Sequence, residues 1–454
     1  MVSIQNPAMR MERDSLGDVE VPSDALYGAQ TARALANFNA SGIPIGHFPD
    51  LVRGLALVKK AAARANHRLG LLPERLAVAI EDACDTIIAG RHMEAFGVDV
   101  LQGGAGTSSN MNMNEVVANL AADRLGVPRG RYDVVHPNDH VNLSQSTNDA
   151  YPTAIRIAVL TGNARLCRAL DALVRELEAR ARDFAGIRKL GRTQLQDAVP
   201  MTLGQEFRAF ASTLREDIAR LAEIGTLLNE VNLGGTAIGT GVNAPAAYRA
   251  MAVAELAALS GLPLTSALDL VEASWDTGGL VLYSGMLKRT ATKLSKIAND
   301  LRLLSSGPRG GLGEISLPAM QPGSSIMPGK VNPVIPEMVN QIAFQVIGAD
   351  LVVTLASEAG QLQLNAMEPV MAYNILTSLD LLTRGCRALA DKCIRGLGAN
   401  AHTCALHLDR STAMATELAP RLGYARAAEI AHRALSSGRS IAEVLAEGAD
   451  VSHG

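Results

Sequence analysis

Five long stretches with helical spacing of apolar residues do most to limit what this chain can fold into. One begins after Pro152 and carries Leu166, Leu170, Leu173 and Leu177 on one face. Others cover about 202–229, 277–305, 337–357 and 367–395, the second of these placing Leu287, Leu294, Ile297, Leu301 and Leu304 together. At about 1.5 Å per residue such helices reach roughly 30–45 Å, more than a small domain needs. The stretch 337–357 is apolar around most of its circumference, which predicts burial on all sides. Long helices with wide apolar faces predict a helical bundle extended by subunit association.

Composition agrees with close helix packing. Of 454 residues, 48% are hydrophobic but only 3% aromatic, and that length supports more than one core. The formal net charge of −3, with acids and bases interspersed, offers no footprint for nucleic acid or for a membrane surface. No uncharged run approaches the ~20 residues of a membrane span, and Met1-Val-Ser-Ile-Gln-Asn-Pro7 has no signal-peptide pattern. The cysteines Cys84, Cys167, Cys386, Cys393 and Cys404 are odd in number and form no close pair suited to zinc. They read as reduced thiols in a cytoplasmic protein.

Along the chain, residues 1–150 mix short helices (about 50–69 and 73–90) with loops, 151–395 hold the long helices, and 396–454 read as short helices broken at Gly423-Tyr424. Glu12-Arg-Asp-Ser-Leu-Gly17 and Tyr27-Gly-Ala-Gln-Thr31 read as polar turns. Between the helices lie glycine-bordered polar loops, the richest in Ser, Thr, Asn and Lys being 102–110, 144–149, 191–197 and 323–332. The first lacks the lysine of a phosphate-cradling loop and follows no strand, so a nucleotide site is not indicated. The last, Gly323-Ser-Ser-Ile-Met-Pro-Gly-Lys-Val-Asn-Pro333, cannot be regular structure before its end, because its prolines lack donors and its glycines free the backbone. It reads as a mobile segment closing over an anion, with Lys330 as countercharge. Neutral donors plus one lysine, without a metal cluster, fit a small dicarboxylate.

That segment resembles the signature of the aspartase/fumarase superfamily. The likeness extends through Gly104-Ala-Gly-Thr-Ser-Ser-Asn-Met-Asn112, His136-Pro-Asn-Asp-His-Val-Asn142, Ser144-Gln-Ser-Thr-Asn-Asp149 and Gly191-Arg-Thr-Gln-Leu-Gln-Asp-Ala-Val-Pro-Met-Thr-Leu-Gly-Gln-Glu206, and spans about residues 12 to 380. It implies a mainly α, three-domain subunit in a homotetramer. The central helices would join into a twenty-helix core, and each active site would draw loops from three chains. The reaction implied is anti elimination from a four-carbon dicarboxylic acid to give fumarate.

The same resemblance assigns roles. Ser324 matches the general base. Thr107, Ser146, Thr147 and Ser325 would bind the carboxylate that becomes enediolate-like, Lys330 and Asn332 would hold the other carboxylate, and Asn148 and Thr193 would face the leaving group. A serine hydroxyl is a poor base unless its oxyanion is stabilised, so closure, water exclusion and positive charge must supply that. His136 and His140 allow acid–base, turn or interface roles. No organic cofactor or metal is required by these residues. Magnesium activates some relatives, but no ligand set for it is identifiable.

Within the superfamily, Gln194 stands where fumarases resemble Gly-Arg-Thr-His, and glutamine cannot shuttle protons at neutral pH. Val334-Ile-Pro-Glu-Met-Val-Asn340 and Gly360-Gln-Leu-Gln-Leu-Asn-Ala-Met-Glu-Pro369 are similar to the ammonia-lyase branch, fumarases having lysine before that proline. The expected reaction is therefore L-aspartate to fumarate and ammonia. Hydration of fumarate, or a non-catalytic structural role on the same scaffold, are the alternatives. Ala40-Ser-Gly42 resembles the cyclising tripeptide of aromatic ammonia-lyases, but its surroundings do not match. The end at Asp450-Val-Ser-His-Gly454 is shorter than in many aspartases, which leaves tail contacts and effector binding open.

Overall fold

The computed structural model describes residues 8–450. The readings of the Met1–Pro7 segment and of the tail beyond Asp450 lie outside the described residues. The chain is mainly α-helical, with fourteen α-helices among the described residues. They are α1 (Ala29–Asn37), α2 (Pro49–Arg68), α3 (Glu74–Ile88), α4 (Thr107–Leu125), α5 (Thr147–Asp183), α6 (Leu203–Gly225), α7 (Tyr248–Ser260), α8 (Gly278–Leu304), α9 (Val334–Glu358), α10 (Glu368–Leu389), α11 (Ala401–Arg410), α12 (Met414–Leu422), α13 (Tyr424–Ser437) and α14 (Ile441–Asp450). Two antiparallel hairpins accompany them: β1 (Met9–Asp14) with β2 (Gly17–Pro22), and β3 (Arg188–Thr193) with β4 (Gln196–Thr202).

The chain divides into two compact units, interleaved in sequence. The first takes residues up to Leu166 with Arg220–Lys288 and Val346–Asp380; the second takes Cys167–Ala219, Arg289–Gln345 and Leu381 onward. The expected leucine stripes are real. Leu166, Leu170, Leu173 and Leu177 of α5, and Leu287, Leu294, Ile297, Leu301 and Leu304 of α8, are all buried.

Several local expectations are corrected. Glu12–Gly17 is not a free turn but the end of β1 and its hairpin corner, paired in register from Met9↔Pro22 to Asp14↔Gly17. Tyr27–Thr31 starts α1. Remote carboxylates satisfy its first amides, which no helical partner reaches: Glu115 accepts from Gly28, Gln30 and Thr31, and Glu12 accepts from Ala29. The glycine-rich loop ends at Gly106, so Thr107–Asn110 form the first turn of α4. Residues 191–197 form the tip of a hairpin, with the non-glycine pair Gln194 and Leu195 both in the left-handed region (φ 54° and 62°). That is the primed-turn geometry hairpins favour, usually met by Asn-Gly.

Helix α5 begins at Thr147, ahead of Pro152, because a capping box holds its start. Ser146 Oγ accepts from Asn148 N at 3.2 Å, and Asp149 Oδ1 accepts from Ser146 N at 2.9 Å. Pro152 cannot donate to the Asn148 carbonyl. Asn232 Nδ2 does so instead, at 2.9 Å.

Gly106 is a position only glycine can fill. Its φ is +87°, and an added Cβ would lie 2.4 Å from the ring of buried Tyr151. Left-handed strain of roughly 1–2 kcal/mol and overpacking of about 1–3 kcal/mol add. Gly106→Ala is therefore expected to lower unfolding stability by roughly 2–5 kcal/mol, read as a drop in the urea midpoint; an unchanged midpoint would contradict the packing described.

Helix α9 departs most from expectation. Only one face is buried (Val339, Ala343, Val346, Val353, Ala356), while Phe344, Leu351 and Leu355 are 62%, 61% and 59% exposed. By length and composition it could cross a membrane, with an 18-residue window of mean hydropathy 1.5 that is 33% buried. Its charge is nonetheless paired within the protein, Asp350 accepting from Ser284 Oγ and from Lys288 Nζ. All-round burial fails because one chain supplies a neighbour to only one side of this helix.

Candidate functional site

The predicted site residues fall into two groups, one in each unit. In the first unit, Thr107, Ser146, Thr147 and Asn148 sit at the N-termini of α4 and α5, where backbone amides point outward and favour negative charge. Thr107 is exposed, and its hydroxyl donates to Gly104 O at 2.7 Å. Thr147 Oγ1 accepts from Asn110 Nδ2 at 3.0 Å, and Asn148 Nδ2 donates to Ala237 O at 2.8 Å.

Under this group lies a polar core that the sequence reading missed. Lys59 of α2 is fully buried and donates to Asn110 Oδ1, Asn142 Oδ1 and Gln145 Oε1 at 2.6, 2.9 and 2.9 Å. Burial pushes it down to about 7, with Asp149 pulling the other way. Asp149 is also fully buried. Burial raises it to about 6, against the amides of Ser146, Thr236 and Gly234 and the charge of Lys59. Those amides tie the Gly234–Gly241 loop to the start of α5. The signal available was Lys59 itself, a lysine in an otherwise apolar helical stretch (Leu55–Ala63 apart from Lys59 and Lys60), which a buried, hydrogen-bonded cation would explain.

His136 and His140 resolve as turn residues. His136 Nδ1 accepts from Asn138 N and Asp139 N, and His140 Nδ1 accepts from His136 N, closing a single π-type turn over Pro137–Val141. Glu368, singled out by the Glu-Pro pair, is buried at the start of α10, and burial raises it to about 8 against the pull of Arg156. The cysteines are free; burial pushes Cys386 and Cys393 up to about 12 and Cys404 to about 11, so none is a thiolate nucleophile.

In the second unit, Ser324, Ser325, Lys330 and Asn332 lie on one loop, which borders a cavity of about 450 Å³ lined by residues 319–324 and 327–331, Ser324 and Lys330 among them. Ser325 and Lys330 are exposed, and Ser324 is half-buried. The loop is pinched at its base, Gly323 N donating to Lys330 O at 2.9 Å and Asn332 Nδ2 to Gly323 O at 2.7 Å. One of the two N–H groups of Asn332 is therefore committed to loop shape. Ser324 Oγ accepts from Ile326 N at 3.2 Å and Met327 N at 3.1 Å. Two backbone donors aimed at one hydroxyl oxygen favour its anion, the requirement set by a serine base.

Thr193 is exposed at the end of β3. Its neighbour Arg192 is anchored to Glu314 Oε1 at 2.7 Å, and the buried carboxylate of Glu314 also meets Lys189 at 2.8 Å and His407 Nδ1 at 3.1 Å. Burial opposes ionisation of Glu314, but the charge of Lys189 and the hydrogen bonds from Lys189, His407 and Arg192 hold it below its ordinary range. The Thr193 hairpin is thereby fixed to α11.

Helix ends bearing hydroxyls and amides in one unit, and a serine–lysine loop in the other, are the kinds of group that a lyase acting on an anionic substrate uses. Comparison with known proteins agrees. Residues 17–348 match the family described as Lyase, and residues 414–453 match the Fumarase C C-terminus. The aspartate ammonia-lyase of Pseudomonas fluorescens is 58% identical over 98% of this chain and 94% of its own length, and that of Escherichia coli (strain K12) is 52% identical over 97% and 92%. A crystal structure of a fumarate lyase:delta crystallin from Brucella melitensis, bound to cobalt, superposes with a TM-score of 0.95 at 60% identity over 97% and 96% of the two chains. A class II fumarase from Schistosoma mansoni gives 0.92 at 36% identity over 97% and 95%. The chain belongs to the aspartase/fumarase superfamily of lyases, and these aspartate ammonia-lyases are more similar to it than the class II fumarase is.

Proposed function

We propose that this chain catalyses reversible anti elimination of ammonia from L-aspartate to give fumarate. The observation that carries the mechanism is Ser324, whose Oγ receives two backbone N–H groups on a loop that also bears Lys330. Ser324 as alkoxide takes the Cβ proton. Thr107, Ser146, Thr147 and Ser325 stabilise the enediolate-like charge that results, and preorganised donors of this kind usually supply the largest share of rate enhancement. Lys330 and Asn332 hold the second carboxylate, while Asn148 and Thr193 face the departing ammonia. The choice of ammonia over water is supported by Gln194, which has no titratable proton near neutrality, and by relatives named aspartate ammonia-lyase at 52–58% identity against 36% for the class II fumarase.

The reading includes a homotetramer of three-part subunits (1–150, 151–395, 396–454), each site drawing on three chains. The exposed apolar face of α9 supports it. A reducing, cytoplasmic setting fits the five free cysteines. The elimination needs no metal or organic cofactor, and any divalent-cation effect would be activating only. Fumarate absorbance should rise on addition of L-aspartate, survive a chelator, and stay flat with L-malate. Turnover of L-malate instead would favour the hydratase, and no turnover of either would favour the structural role.

A further inference from the structure

Lys59 has a chemical consequence beyond burial. An ammonium has three N–H donors and no acceptor, and here each proton meets a carboxamide oxygen, on Asn110, Asn142 and Gln145. Three oxygen acceptors match the three protons of the ammonium, so these partners favour the cation against the burial that opposes it. It fixes which way each amide faces. With its oxygen held by Lys59, Asn110 can present only its NH₂ group outward, and that group donates to Thr147 Oγ1 at 3.0 Å and to Asn142 Oδ1 at 3.2 Å. Gln145 and Asn142 are likewise committed, their NH₂ groups donating to backbone carbonyls of 141, 143 and 145.

We propose that Lys59 is a positioning residue that sets the polarity of Thr147. Because Asn110 donates to Thr147 Oγ1, the threonine's lone pair is occupied and its own proton is free to be donated to an anionic ligand. Were the Asn110 amide reversed, its oxygen would take that proton, and Thr147 would turn a lone pair toward the substrate carboxylate. Lys59 forbids the reversal from a distance, without touching ligand. This inference rests on the ammonia-lyase reading for the identity of the ligand, but the polarity lock requires only that Thr147 bind a dicarboxylate.

The test is a double-mutant cycle. Lys59→Met should lower kcat/KM for L-aspartate by about 10²-fold, the scale of losing one donor to developing charge, with the loss mainly in kcat. Thr147→Val should cost a similar factor. In the Thr147→Val background, Lys59→Met should then add less than about twofold. If the two losses multiply instead, Lys59 acts through something other than Thr147 and the proposal falls. Should Lys59→Met not fold, Asn110→Asp serves in its place: it keeps the partner of Lys59 but has no N–H to give Thr147. It should weaken both turnover and calorimetric succinate binding in the wild-type background, and have no further effect in Thr147→Val. An effect of Asn110→Asp that persists in Thr147→Val would mark simple charge repulsion and overturn the proposal. A wild-type protein that binds succinate, loses it on Asn110→Asp, and yet leaves L-aspartate untouched would sink the functional reading while sustaining the lock. Failure to bind succinate at all would sink both.

Discussion

Ser324→Ala is expected to lower kcat for fumarate release from L-aspartate by about 10³-fold or more, at the upper end of what a positioned base contributes, while the helical circular-dichroism signal and the unfolding midpoint stay unchanged. The fold should tolerate the change because Ser324 buries little and its Oγ only accepts two hydrogen bonds within an exposed loop. Without it the Ile326 and Met327 amides can turn to water. The Cβ–H bond then has no partner, and no neighbouring group replaces it in kind, since Lys330 is a donor only and Ser325 has no pair of amides holding its oxygen among the described residues. KM for L-aspartate should move far less than kcat, because the proposed mechanism assigns binding to Lys330 and the hydroxyls at the starts of α4 and α5. Activity within tenfold of wild type would remove Ser324 from the mechanism.

The second large effect concerns assembly. Phe344 and Leu351 lie on the exposed side of α9, and burying such side chains contributes about 1.5–3 kcal/mol each. Replacing both with glutamate, Phe344→Glu with Leu351→Glu, should leave the single chain folded, since neither touches its core. An unpaired charge buried in an interface costs about 3–5 kcal/mol, each 1.4 kcal/mol being tenfold in association. Light scattering should therefore report a species smaller than the wild-type oligomer, and activity should fall with it, because the proposed site needs loops from three chains. An unchanged mass with full activity would mean that this face is not the subunit interface.

The two variants separate chemistry from architecture: the first should silence an intact assembly, the second should dismantle the assembly into intact chains. They also bear on why the buried core under Thr147 matters. Lys59 and Asp149 hold opposite charges inside the first unit, each moved toward neutrality by burial and each satisfied by hydrogen bonds. Groups arranged so are costly to keep, and here they fix the hydroxyls of α5 rather than adding apolar burial.

Read from the sequence alone, the long helices and their apolar faces were legible, because a 3.6-residue period over several turns leaves little else that buries those leucines. The serine–lysine loop was legible too, since Pro328, Pro333, Gly323 and Gly329 exclude regular structure around it. Three things needed the tertiary structure. Helix α5 can run through Pro152 from its capping box because Asn232, far along the chain, supplies the donor that proline lacks. The Lys59 cluster joins α2, α4 and the 142–145 turn, and no local pattern reports that three amide oxygens from separate segments will converge on one ammonium. Periodicity declared α9 apolar on nearly every side, but whether each side is covered depends on what packs there, and one chain covers only the face bearing Val339, Val346 and Val353. Sequence period dictates which residues seek burial; the meeting of distant segments decides which find it and which polar groups become chemically useful.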